Sequence, residues 1–199
     1  MIGFKRLLCG LVCWLSLMST MVLAKEPKRS ALGGEICEVT VNLKGMVCPF
    51  CTYSLEKAFE KQNYVEKVET IDLQNGTATL RLVPGTSRSL KSLESDLANV
   101  IKKATFDSGG IAGVVVAGVL REDEAGIVMR IGGSDDASKL FVLETHSASH
   151  KVPAKMPKKI KNRIKKECDK ASVVTITTAV HSHVDGSFCA SNLEKMTIK

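Results

Sequence analysis

A chain of 199 residues has room for one large or two small domains, and its composition, 44% hydrophobic with 25% charged, is that of a globular protein. The formal charge of +7 is mild for this length, and with only 5% aromatic residues it gives no nucleic-acid signature. No Ser/His/Asp order, glycine-rich phosphate loop or motif-framed pair of acids is present, so hydrolysis and phosphoryl transfer are not indicated and no enzymatic activity is expected.

Residues 1–24 read as a secretory signal peptide. Lys5 and Arg6 precede an apolar stretch from Leu7 to Leu23, and Val22-Leu23-Ala24 has the form of a cleavage site. The stretch is interrupted by Gly10, Ser16, Ser19 and Thr20, so no membrane span is expected to remain after cleavage. Loss of Lys5 and Arg6 lowers the formal charge by two, to +5, and removes Cys9 and Cys13. Export would place the mature chain in the periplasm or outside the cell, where thiols tend to be oxidised. Residues 25–35, with Pro27, Gly33 and Gly34, form an expected flexible lead-in.

Alternation predicts a strand over 36–44, with Cys37, Val39, Val41 and Leu43 on the apolar face. Gly45-Met46-Val47-Cys48-Pro49-Phe50-Cys51 then joins it to a helix over 49–62 whose core stripe is Leu55, Ala58 and Phe59. Pro49 suits the first helical position, which puts Cys48 near the N-cap and Cys51 in the first turn. There the helix dipole and unsatisfied N–H groups favour thiolates. Cys37 lies about 20 Å or more along the strand from this loop and reads as a packed small side chain, outside the site.

Two strands over 65–74 and 77–83 follow, joined by Asn75-Gly76 as a two-residue hairpin turn, with Val68, Ile71 and Leu73 facing Ala78, Leu80 and Leu82. A second helix is expected over 89–104 with Leu90, Leu93, Leu97, Ile101 and Ala104 inward. Thr105-Phe106-Asp107 leads to a strand over 111–120. Beyond Arg121-Glu122-Asp123-Glu124 come strands over 126–131 and 140–145, a basic helix over 157–171, and strands over 173–180 and 188–198. If the strand at 111–120 also pairs with these, the order is three strands, a helix and two strands, which is that of an OB-type barrel.

Two thiols three residues apart can bracket a soft ion that accepts few ligands, or can act as a redox pair. A closed structural zinc site needs four ligands, and the chain has no second Cys-x-x-Cys. The basic helix carries Lys158, Lys159, Lys161, Arg163, Lys165 and Lys166: either a docking face for an acidic partner or an anionic membrane, or a solvated face opposite Ile160, Ile164 and Cys168. His181 and His183, and His146 and His150, are pairs without a completing ligand set, and read as structural or surface histidines. Cys168 and Cys189 are either two buried thiols or, in an oxidising compartment, a disulfide between the helix and the last strand.

The Gly-Met before Cys48-Pro-Phe-Cys51, on a loop leaving a strand, resembles the Gly-Met-x-Cys-x-x-Cys signature of the heavy-metal-associated domain family. That family includes copper chaperones, copper-ATPase amino-terminal modules and the periplasmic mercury-binding protein. The resemblance covers roughly residues 36–117 and departs from the family pattern at Val47 and at Pro49-Phe50. It implies an α+β, ferredoxin-like βαββαβ domain over 36–120. Element order alone adds a smaller, mostly β domain over 121–199, OB-like with one basic helix. The resemblance further implies that Cys48 and Cys51 hold the metal, Cu(I) first and Hg(II) second. Met46 would anchor the loop, and Phe106 would either match the aromatic that shields the ion or be an ordinary core aromatic. The function implied is binding of a soft ion and its transfer by thiolate exchange to a donor or acceptor protein such as a metal transporter. Two other readings stand beside it: a thiol-disulfide oxidoreductase using the same pair, and a metal-sensing module acting through the carboxy-terminal domain.

Overall fold

The computed structural model describes residues 33–45, 49–86, 88–124, 126–133, 137–144, 158–182 and 187–198. The signal peptide, most of the lead-in, Met46, Cys48, His146, His150 and His183 lie outside the described residues. The elements run β1 (Glu35–Lys44), α1 (Pro49–Glu60), β2 (Val65–Asp72), β3 (Thr77–Leu82), α2 (Leu90–Lys103), β4 (Asp107–Asp123), β5 (Gly126–Ile131), β6 (Ser138–Glu144), α3 (Lys158–Asp169), β7 (Val173–Ser182) and β8 (Phe188–Ile198). Each was expected from its periodicity, with one large difference of length. The final strand of the first set begins at Asp107 and runs seventeen residues, through the position where the second set was expected to begin.

The strands form one sheet in the order β2-β3-β1-β4-β5-β6-β8-β7, and β7 pairs back onto β4. The ring β4-β5-β6-β8-β7 is therefore a closed five-stranded barrel, and β2, β3 and β1 extend from β4 as an open antiparallel sheet. Within the ring only β6 and β8 run parallel. The barrel that depended on β4 serving both halves is thus formed. Pairing with β1 uses β4 from Asp107 to Ala117 and pairing with β7 uses Gly113 to Val119, so over the shared residues these partners hold opposite edges.

α1 and α2 pack on the open sheet. α2 places Leu90, Leu93, Leu97, Val100 and Ile101 fully in the core, each contributing on the order of 1.5–3 kcal/mol by burial. Its N-cap is Ser89, whose hydroxyl accepts from the Ser92 N–H at 3.1 Å. A second orphan donor, Lys91 N–H, is met by the Ser138 hydroxyl of β6 at 3.2 Å, so the helix start is held by a barrel strand. One buried cluster runs through both halves, from Val39, Leu55 and Leu80 to Met129, Leu140 and Ile176.

Three expectations are corrected. Cys37 is not on the buried face. A register shift between Ile36 and Glu38 marks a β-bulge there, so Ile36 takes the core position and Cys37 is half-buried. The β2–β3 connection is not a two-residue turn. Asp72 pairs with Thr77, leaving Leu73 to Gly76 as the loop, because the Asp72 carboxylate accepts from Gln74 N–H (2.8 Å), Asn75 N–H (3.0 Å) and the Asn75 amide (2.7 Å). Val68, Ile71 and Leu73 are only half-buried, since β2 is the open edge and carries two register shifts of its own.

The junction of sheet and barrel is tight. A Cβ on Gly118 of β4 would lie 2.8 Å from Gly34 Cα and 3.0 Å from Met129 Sδ. Gly34 in turn donates to Arg130 O at 2.6 Å and accepts from Gly132 N–H at 3.2 Å, fastening the start of β1 to the end of β5. Gly118→Val is expected to lose roughly 2–3 kcal/mol, since the nearest obstacle is backbone and cannot rotate away. Urea unfolding measures it. The Asp72 loop makes a pH-dependent contribution. Hydrogen bonds from Asn75 to the ionised carboxyl lower its pKa from the ordinary 3.8. Its stabilisation is therefore complete above pH 3.8 and lost as pH falls through the lower folded value. Asp72→Ala should be destabilised at neutral pH and converge on the parent chain under acid, as read by thermal melts across that range.

Candidate metal centre

Three connections meet at one end of the open sheet: the loop leaving β1, the β2–β3 loop and the link from α2 to β4. The Leu43 N–H donates to Gly76 O at 2.7 Å, joining the first to the second, and Lys44 pairs with Asp107, joining the first to the third. Gly45 leaves the strand at φ +82°, a left-handed conformation that glycine adopts freely; a Cβ there would meet nothing within 4 Å. Glycine is needed at this turn for its backbone and not for space.

Cys51 sits in the first turn of α1, half-buried, at the head of the inward stripe that continues through the fully buried Leu55 and Phe59. The positive end of the helix dipole lies there, and the first turn holds no acidic side chain to oppose a thiolate. Cys51 is disulfide-bonded, to a partner outside the described residues. A disulfide sulfur is open to metal ligation only after two-electron reduction to the thiolate. Cys48 and Met46, the other expected loop residues, lie outside the described residues, so only Cys51 of the pair can be located.

Phe106 is partly buried and packed against the core. Its place follows from the way α2 ends. Thr105 N–H donates to Lys102 O at 2.9 Å and Phe106 N–H to Ile101 O at 3.1 Å, the paired bonds of a Schellman cap, in which the residue after the left-handed position packs back on the helix. The left-handed position is Thr105, at φ +69°, where a β-branched residue is strained. The register of Lys44 with Asp107 keeps Phe106 at the same end of the sheet as the Gly45 loop.

Of the two readings of Cys168 and Cys189, the structure forms no disulfide between them. α3 packs on β4, where burial first, then Glu122 and Asp169, raise the Cys168 thiol pKa. The Ser172 N–H, one residue before β7, reaches back to Glu167 O, which ties the end of α3 to the start of β7. Cys189 pairs with His181 instead, eight residues on from Val173, about 26 Å along the strand. The two cysteines occupy opposite ends of the barrel. His181 is exposed, and among the described residues no group of three or more His, Cys, Asp or Glu side chains could hold a metal ion.

From its place in α1, Tyr53 reads in the sequence as a packing residue, and the structure corrects this. Phe50 is 86% exposed and Tyr53 63% exposed, with the Lys57 ammonium 5.7 Å from the Tyr53 ring centroid, so Tyr53 is not a packing residue. Their positions at 50, 53 and 57, on the face opposite Leu55 and Phe59, were the available signal.

No family model matches the chain, and no curated protein does. Among solved structures it is similar to a copper-binding domain from HMA7, a P-type ATPase, with 26% identity over 39% of this chain and 96% of that one, at a TM-score of 0.33. It is also similar to the yeast copper transporter domain CCC2A, in its apo and Cu(I)-loaded states, with 19% identity over 37% of this chain and 93% of that one, at a TM-score of 0.31.

Thr105→Gly should relieve the strained cap and raise stability by roughly 0.5–1 kcal/mol. The denaturation midpoint should rise with an unchanged m-value.

Proposed function

We propose that this protein is a non-catalytic carrier of a soft metal ion, Cu(I) first and Hg(II) second, bound through Cys48 and Cys51 and handed to a thiol-bearing partner such as a metal transporter. In this reading residues 36–120 form a ferredoxin-like heavy-metal-associated domain, the β4–β8 ring is an OB-type barrel, and the chain is exported. The observation that carries it is the position of Cys51: first turn of a helix, entered from a strand through a positive-φ glycine, with the Phe106 link beside the loop. A helix N-terminus lowers thiol pKa, and a thiolate pair suits a soft ion that accepts few ligands. An incoming partner thiolate can add as a third ligand before one of the two leaves, so the ion moves without being released. Phe106, held by the Schellman cap, would close the apolar side of the site.

Under reducing conditions the chain should bind one Cu(I) per molecule in competition with a chromogenic chelator, and Cys48→Ser with Cys51→Ser should abolish that binding. Unchanged binding in the double variant would refute the carrier reading. The disulfide at Cys51 favours a second reading, a thiol-disulfide oxidoreductase. Catalytic insulin reduction that disappears in the Cys51→Ser variant would put that reading first.

A further inference from the structure

The positive charge of the carboxy-terminal half is concentrated on one helix face. Lys158, Lys159, Lys161, Arg163, Lys165 and Lys166 of α3 are all exposed, as is Lys170 just beyond it. Of the two acids in the helix, Glu167 is turned inward and only 4% exposed, which leaves Asp169 as the acid on the outer side. Among the described residues none of the six cations takes part in an ion pair. At 3.6 residues per turn they cover the crest and both flanks, roughly 200° of the helix, and spare only the stripe of Ile160, Ile164 and Cys168.

That geometry limits what can be bound. The apolar stripe is already used against β4, so α3 cannot roll it into a bilayer, and attraction to a surface would act through headgroups. Five of the six cations are lysines, compact charges suited to a diffuse field of phosphates, where bidentate recognition would call for arginine. The helix has no aromatic residue on which bases could stack. Ile198 is 45% exposed and pairs opposite Val174, close to where α3 ends, which adds an apolar side chain at the same end of the barrel.

We propose that α3 is a docking face for anionic phospholipid surfaces, with charge complementarity as its basis. Adsorption is peripheral, and among the described residues no helix is long and apolar enough to cross a membrane. The Ser172–Glu167 hydrogen bond ties the end of α3 to the start of β7, whose Val173 pairs with Val119 of β4, and the Gly45 loop adjoins Asp107 at the other end of β4. Up to about 40 Å of strand separates them. A protein held by α3 would keep its cysteine loop clear of the lipid.

The test is cosedimentation of the full chain with vesicles of phosphatidylglycerol and phosphatidylcholine, and with vesicles of phosphatidylcholine alone. Binding should require phosphatidylglycerol and weaken as salt is raised. Lys159→Gln with Lys166→Gln should lower vesicle affinity roughly thirty-fold, at about fivefold per cation. The melting temperature should be unchanged, since both side chains are exposed. Lys61→Gln with Lys102→Gln, two exposed cations elsewhere, should leave affinity within about twofold. Equal binding by the α3 variant, equal binding to both vesicle types, or tighter capture by single-stranded DNA or polyglutamate than by anionic vesicles would each overturn the proposal.

Discussion

Strand β4 holds the molecule together because it must satisfy two sheets at once. Its first eleven residues, through Ala117, pair with β1, residues Gly113–Val119 pair with β7, and Leu120–Asp123 pair with β5. Over Gly113–Ala117 both edges are occupied, so the backbone there is fully bonded within the sheet and cannot shift register without breaking two ladders. The core residues Val114, Val116 and Leu120 alternate along it, Ile111 lies beyond a register shift, and all four feed one continuous hydrophobic cluster. Where β1 gives way to β5, Gly118 leaves room for Gly34, and Gly34 in turn leaves room for Arg130 O and the Met129 side chain.

The same strand explains where sequence reading stops being sufficient. Periodicity located every helix and strand described in the structure, because each segment buries one face and alternation or helical spacing records that face. It could not show that β4 begins at Asp107, since Ser108, Gly109 and Gly110 carry no alternation, and the start of the strand is set by the pairing of Asp107 with Lys44 and of Ser108 with Leu43. Bulges defeat pattern reading for a related reason. One extra residue at Cys37 reverses the phase of β1, so a cysteine that alternates correctly with Val39 is left off the core face while Ile36 takes it. At Asp72 a side-chain acceptor outcompeted the intrinsic preference of Asn-Gly for a two-residue turn.

The candidate site was legible in part. Cys51 lies in the first turn of the helix as its spacing predicts, and Gly45 leaves the strand at positive φ. Phe106 was visible only as an aromatic in a suitable place. Its fixation by the hydrogen bonds of the α2 cap depends on Thr105 adopting a conformation that its residue type disfavours, and no sequence rule would have chosen threonine for it. The Cys168–Cys189 pairing failed on axial position. An oxidising compartment would favour a bridge, but a closed barrel has two ends, and the sequence alone did not say which end each cysteine would occupy.

A cut after Leu120 would seem to separate the cysteine-bearing sheet from the barrel, yet it would sever β4 before Arg121, Glu122 and Asp123 pair with β5, and would leave the barrel without its first strand. It would also take the Ser138 hydroxyl from the start of α2 and expose Ile36, Val114 and Val116, which share the core with Met129, Leu140 and Ile176. Stability in such a chain is a property of the whole, so loss of metal binding after truncation would report unfolding as readily as loss of a contact. The exposed positions escape this difficulty. Phe50, Tyr53 and the α3 lysines lie outside the core, and substitution there changes the surface a partner meets while leaving β4 and its ladders intact.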